Sequence, residues 1–301
     1  MALTVLGRPV RLNLSWLKPP PAPPDGSMTL FEHLRELRYR LIIAALAIIV
    51  GMIVSAFFYP QLLDILKYPY NIGVEQQQAK DPDATNLLVN TNITSPLTLA
   101  LKVSMVSGMV LTAPVWLYQL WAFIMPGLLA KEKKWALVFI GCATPLFLAG
   151  VALGYYIMPK GIAVLLGFTQ SGITNLQDIN VFLSFLLRVM VVFGIAFLIP
   201  LIVLMLNFLG VIKARQLAKA RVYVIFATFV FGAVATPSTD PFSMLALAIP
   251  MSLLFLVAEL IAHVHDRRQE KRALAGDRPV VLHDKALDDL QEPDPPSPID
   301  D

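Results

Sequence analysis

The chain predicts an all-α polytopic membrane protein with six transmembrane helices and both termini on the cytoplasmic side. Three observations carry this. Of 301 residues, 56% are hydrophobic and only 15% are charged, with a mean hydropathy of +0.66, which is too apolar for a soluble domain. Apolar runs recur at lengths near the roughly 20 residues that cross a bilayer as a helix. Finally, nineteen of the 24 Lys and Arg fall on alternate connecting segments, 1–40, 122–134, 208–221 and 263–301. The facing segments hold only Lys67, Lys80 and Lys160. Basic loops stay in the cytoplasm, so this asymmetry sets the orientation as N-in and C-in.

The expected spans are 40–59, 97–120, 135–157, 181–207, 221–235 and 242–262. The first apolar run is too long for a signal core and lacks a small-residue cleavage site, so it is read as a span. The fifth is short: from Arg221 to Thr236 it offers about 14 apolar residues, or about 21 Å. The sixth is interrupted by Pro250 and carries Glu259 near its end. The two form a hairpin closed by Thr236-Pro237-Ser238-Thr239-Asp240-Pro241, a turn-rich sequence. In the first outer loop, 61–66 predicts one short interfacial helix, and 161–168 predicts a second. Outside a membrane domain at 28–265, the proline-rich stretch 1–27 and the charged stretch 266–301 predict disordered cytoplasmic tails. The single cysteine, Cys142, excludes an internal disulfide.

Candidate chemistry lies where the chain enters the bilayer. Thr29 and Glu32 have capping-box spacing, and Leu30, Leu34, Leu37 and Leu41 form one helical stripe. Glu32–Arg35 and Glu36–Arg40 have the spacing of surface ion pairs. Either these pairs only support the helix, or the acids receive a cationic ligand. Apart from the tails, the cytoplasmic face holds only three acids, Glu32, Glu36 and Glu132, and scarce acids on a basic face point to a cationic ligand. Glu36 and Arg38, two residues apart, point in different directions. Glu132 stands among Lys131, Lys133 and Lys134, either neutralised by them or presented as a second receptor acid on a loop stiffened by Pro126.

Lys102 and Arg188 lie within spans, two turns or so from the outer boundary, where long side chains are expected to snorkel outward. Glu259 is expected to pair locally with His263 and Arg267. His263 and His265 do not share a helical face, so no metal site is expected, and no nucleotide-binding or hydrolase motif is present. A relay through Lys102, Arg188 and Glu259 defines an alternative reading as an ion-coupled transporter. No internal repeat supports that class.

Three longer motifs carry a family resemblance. The first is His33-Leu34-Arg35-Glu36-Leu37-Arg38-Tyr39-Arg40-Leu41. The second runs from Ala113-Pro114-Val115-Trp116 through Phe123-Ile124-Met125-Pro126-Gly127-Leu128, with Glu132 following. The third is Ala235-Thr236-Pro237 through Asp240-Pro241-Phe242-Ser243, with Ala248-Ile249-Pro250 beyond. Over about 28–265 the chain resembles TatC, the polytopic core component of the twin-arginine protein translocase. Val264-His265-Asp266 is similar to actinobacterial members.

The resemblance implies six spans, N-in and C-in, with short fifth and sixth helices in a curved, concave bundle in the bacterial cytoplasmic membrane. It implies a non-enzymatic receptor for the paired-arginine signal peptides of folded proteins. TatA- and TatB-type single-span subunits are the implied partners, within an oligomeric complex that uses neither cofactor nor nucleic acid. Glu36 and Glu132 would receive the arginines, Arg38 would shape the site, and His33 and Leu34 lie in the same motif. Pro69, Phe123 and Pro126 are implied structural positions. Thr236, Asp240, Phe242 and Met244 lie at the edge where partner subunits would dock. One position departs from the pattern: members usually have a glutamate where this chain has Leu198.

Overall fold

A computed structural model of the chain describes residues 3–5, 8–10, 30–82, 85–124, 133–169, 174–208, 210–235 and 241–274. Five of its helices are long and apolar enough to cross a membrane, and a bent pair makes six. They are α1 (Leu30–Phe57), the pair α3 (Ser95–Leu111) and α4 (Ala113–Ile124), α5 (Lys133–Leu166), α6 (Ile179–Phe208), α7 (Ala214–Ala235) and α8 (Pro241–Leu274). A further helix, α2 (Tyr59–Gln78), follows α1. Short strands β1 (Leu3–Val5) and β2 (Arg8–Val10) pair antiparallel near the N-terminus. Strands β3 (Asn86–Val89) and β4 (Asn175–Asp178) pair in parallel, with Asn86 opposite Asn175.

The second expected span is not one straight helix. It bends by 64° between Leu111 and Ala113. Pro114 has no N–H to give to the preceding turn, and its ring crowds the carbonyl there. The break is repaired locally. Thr112 donates its hydroxyl to the Gly108 carbonyl at 2.8 Å, and the Trp116 indole N–H reaches back to the Met109 carbonyl at 2.9 Å.

The expected interfacial helices also differ. Instead of a short 61–66 piece, α2 runs for 20 residues from a proline-started first turn through the internal Pro69. Packing overrides the breaker: Leu66, Pro69, Tyr70 and Gly73 are all buried, and Tyr70 packs on Phe182 at 5.2 Å between ring centroids. The stretch 161–168 is not a separate helix. Its first residues continue α5 past Pro159 to Leu166, because Met158 and Ile162 join the buried cluster that holds α2.

Close helix approach depends on glycine. A Cβ on Gly51 of α1 would stand 2.6 Å from the Gly108 carbonyl oxygen, and one on Gly108 would stand 2.3 Å from the Met52 nitrogen. The same occurs between α5 and α6, where a Cβ on Gly150 would lie 2.5 Å from the Phe193 carbonyl oxygen. In lipid, helix association rests on such contact rather than on apolar burial from water. The core then forms in three connected regions. The first joins α2, α3, α5, α6 and α8 around Val103, Leu186 and Phe193. The second joins α4, α5 and α6 around Leu117, Phe139 and Phe147. The third joins α6, α7 and α8 around Leu217 and Phe255.

Helices α7 and α8 are longer than their apolar parts. α7 has 22 residues, but Arg215, Lys219 and Arg221 occupy its first turns. α8 has 34 residues and runs to Leu274, beyond 265, where a tail is expected. Its end is held by Asp266. That carboxylate accepts from Asn207 Nδ2 at 3.1 Å and from the Ala214 backbone N–H at 2.8 Å, at the first residue of α7. His265 packs against the Phe208 ring at 4.6 Å.

Asp178 performs the same service at the other end of the bundle. Its carboxylate accepts the backbone N–H of Asn180 at 2.7 Å and of Val181 at 3.1 Å, and also the Thr91 hydroxyl. These bonds, the Thr91 hydroxyl foremost, hold the carboxyl below the ordinary value of 3.8.

Two outcomes test this account. Gly108→Leu should separate α1 from α3 and cost about 1–3 kcal/mol or more, read as a lower unfolding temperature in detergent. For Asp178 the sign follows from its depressed value: the cap is fully present above pH 3.8 and is lost as pH falls through the lower folded value. Asp178→Ala should therefore lower the neutral-pH unfolding temperature and flatten its fall in acid. An unchanged acid limb would dismiss the cap.

Candidate functional site

The first turns of α1 meet the last turn of α4. His33 stacks on Phe123, with ring centroids 4.6 Å apart and an interplanar angle of 19°. One turn along, Glu36 is only 4% exposed although it is charged and lies close to the start of the helix. Arg40, four residues on, donates to Glu36 Oε1 through Nε at 2.9 Å and through Nη2. Both donors go to one oxygen. The other, Oε2, is buried and has no hydrogen-bond partner among the described residues. A buried acceptor left unsatisfied costs roughly 1–3 kcal/mol, more when charged.

The expected ion pair Glu36–Arg40 therefore exists, but it satisfies half of the carboxylate. Arg38 points away and is exposed, as its spacing requires, and Leu34 is exposed beside it. Glu32 lies in the first turn of α1. Glu132 and Pro126 lie outside the described residues, as do Thr236 and Asp240. Phe242 lies in the first turn of α8, and Met244 is half-buried with its carbonyl close to Gly232 of α7. Pro69 is fully buried in α2, remote in the chain from the Glu36 cluster.

The intramembrane charge Glu259 is solved differently from expectation. Glu259 does not pair with His263 or Arg267. It is 3% exposed and takes a two-pronged contact from Arg221 of α7, with Nε to Oε2 at 2.9 Å and Nη2 to Oε1 at 2.5 Å. The guanidinium fork matches the carboxylate, which a histidine or a solvated arginine one turn away cannot do. Lys102 is exposed and reaches toward the first turns of α6, the direction expected of a snorkelling side chain. Its ammonium donates to Asn180 Oδ1 and Ser184 Oγ of α6, both at 2.8 Å. Arg188 lines the same pocket, which does not include Glu259. The three charges do not converge, which removes the relay that a transporter reading needs.

Leu198 is 3% exposed and packs with Leu117 and Phe147 of the α4–α5 side. An apolar cavity of about 610 Å³ lies elsewhere, lined by Val54 of α1, Phe58 between α1 and α2, Leu62 of α2, Val106 of α3, Tyr155 of α5 and Met190 of α6. Sequence reasoning missed Arg221, Asp266 and Asn180 as partners. Each contact spans 38 or more residues and has no local spacing rule to reveal it.

These features define a multi-span α-helical membrane protein with a buried carboxylate, paired to Arg40, where its first span begins. A family model described as Sec-independent protein translocase protein (TatC) matches residues 32–250. A protein of that name from Frankia casuarinae is 42% identical over 82% of this chain and 69% of its own length. One from Xylanimonas cellulosilytica is 37% identical over 81% and 87%. The crystal structure of the twin-arginine translocase receptor TatC superposes with a TM-score of 0.63 at 34% identity, over 77% of this chain and 98% of that one. The chain belongs to the TatC family, the Sec-independent protein translocase components, and is a membrane-spanning subunit of protein transport.

The α7–α8 ion pair yields an ordered prediction. Arg221→Met should lower the unfolding temperature more than the double change Arg221→Met/Glu259→Met, because the single change strands a buried carboxylate. Equal losses would mean that Glu259 is solvated.

Proposed function

We propose that this chain is the receptor subunit that binds paired-arginine signal peptides of folded cargo at the cytoplasmic face. The observation that carries this is the Glu36 carboxylate, buried, with Arg40 on one oxygen and, among the described residues, no donor on the other. An arginine side chain supplies forked donors that suit such an acceptor, and lysine cannot make the bidentate contact. Glu132, on the segment that follows α4, serves as the second acid. The His33–Phe123 stack ties the start of α1, and with it Glu36, to the last turn of α4. Arg38 and Leu34, exposed on the same turns, shape the mouth.

The base distribution supports a cytoplasmic position for this corner, with both termini inside. The relatives are Sec-independent protein translocase proteins, and a structural neighbour is a twin-arginine translocase receptor. The apolar part of the signal runs along the span surfaces. The subunit has no catalytic step: it binds, and it organises single-span TatA- and TatB-type partners in an oligomeric complex. The thin apolar belt of α7 and the start of α8 at Met244 present the docking edge, under-covered against about 30 Å of hydrocarbon.

Each charge-assisted contact contributes roughly 1.5–3 kcal/mol, so losing one acid should weaken binding about tenfold or more. Glu36→Ala and Glu132→Ala should each reduce crosslinking of a twin-arginine signal peptide to the detergent-solubilised protein, with the unfolding temperature maintained. A Lys-Lys signal should crosslink as weakly as the mutants do. Full crosslinking in both mutants, or equal crosslinking of Arg-Arg and Lys-Lys signals, would sink the reading.

A further inference from the structure

A second pocket, of about 540 Å³, opens at the end of the bundle that carries β3 and β4, far along the spans from Glu36. Its walls come from α2, α3, α5 and α6, with Gln177 of β4 at the rim. Two cations line it. Lys102 is held by Asn180 and Ser184, which use two of its three donors and leave the third free. Arg188 lies about 14 Å into α6 by helical rise and makes no hydrogen bond or ion pair among the described residues. Among the described residues, no carboxylate lines the pocket. The acid nearest in the chain, Asp178, is committed to capping α6 and to Thr91.

An independent observation falls at the same place. The Tyr70 hydroxyl, on a side chain only 4% exposed, is buried without a partner, and Tyr70 lines this pocket. Burial pushes its phenol above the usual range, so it stays a proton donor. Three donor groups thus share one cavity that supplies no anion. Charges at membrane depth require partners. The remaining wall is alkyl and aromatic: Ile162, Leu165, Leu166, Val181 and Phe185.

We infer that this pocket binds the phosphate of an anionic phospholipid, with an acyl chain along the α5–α6 wall. Phosphate offers several acceptor oxygens to Lys102, Arg188 and Tyr70, and the adjoining apolar wall suits hydrocarbon. The position near the end of the spans is the depth of headgroups. A transmembrane helix is about 10 Å across and does not fit inside such a cavity, whereas a headgroup and chain do. The site stands apart from the signal-binding reading and does not depend on it.

The test uses the full chain in neutral detergent, titrated separately with phosphatidylglycerol, phosphatidylcholine and inorganic phosphate, with bound lipid counted by native mass spectrometry. The wild type should prefer phosphatidylglycerol about tenfold or more, as charge-assisted contacts predict. Lys102→Gln/Arg188→Gln should bring that preference close to unity, and Tyr70→Phe should reduce it by a few-fold. Arg188→Gln alone carries the test if the double variant does not fold, because that side chain is exposed. An equal preference in wild type and variants overturns the site and leaves these cations to a carboxylate on another protein. Displacement of the lipid by millimolar inorganic phosphate overturns the lipid assignment in favour of a free anion.

Discussion

The bundle depends on how closely its helices can approach α6. Lipid is as apolar as leucine, so burying a side chain between two spans gains little from leaving hydrocarbon. What remains is contact, and contact improves as backbones come together. More than half of the apolar stretch of α6 is buried, against 11% for α1, so α6 is the post on which α3, α5 and α8 rest. Gly150 and Gly194 let α5 lie against it, since a Cβ on either would meet backbone or the Phe147 ring at under 3 Å. Gly51 and Gly108 do the same for α1 and α3, and through them the Glu36 corner is held to the rest.

Within that frame each charge has its own arrangement, and the arrangements differ in how completely they are paired. Glu259 is fully matched by a guanidinium fork and serves as a clasp between α7 and α8. Asp178 and Asp266 are fully used as helix caps. Among the described residues, Glu36 has one oxygen served and one without a donor, and the pocket of Lys102 and Arg188 holds donors without an anion. The two incomplete groups lie at opposite ends of the spans. Under the two proposals one would accept cationic groups and the other anionic ones, so a single ligand class would not use both.

The break at Thr112 shows a related economy. Pro114 interrupts the second span, yet the freed backbone is answered by a threonine hydroxyl and an indole N–H from adjacent turns. In a bilayer no water is present to do this, so the repair must come from side chains. The bend turns α4 into a separate lever. It carries Trp121 onto Phe139 and Phe123 onto His33, and so joins the start of α1 to the bundle.

The spans, the ion-pair spacing of Glu36 and Arg40 and the candidacy of Glu36 could be read from the chain, because they rest on local quantities: run length, helical period and the placement of bases. The extent of α2 could not, because Pro69 and Gly73 read as breakers until α5 packs on them. Nor could the partner of Glu259, since an i+4 rule sees His263 and Arg221 lies 38 residues away. The unserved oxygen of Glu36, the orphan hydroxyl of Tyr70 and the shared pocket of Lys102 and Arg188 are also products of tertiary packing. Which residues enter the bilayer is a property of each segment alone. Which polar atoms remain without partners depends on every helix that arrives beside them.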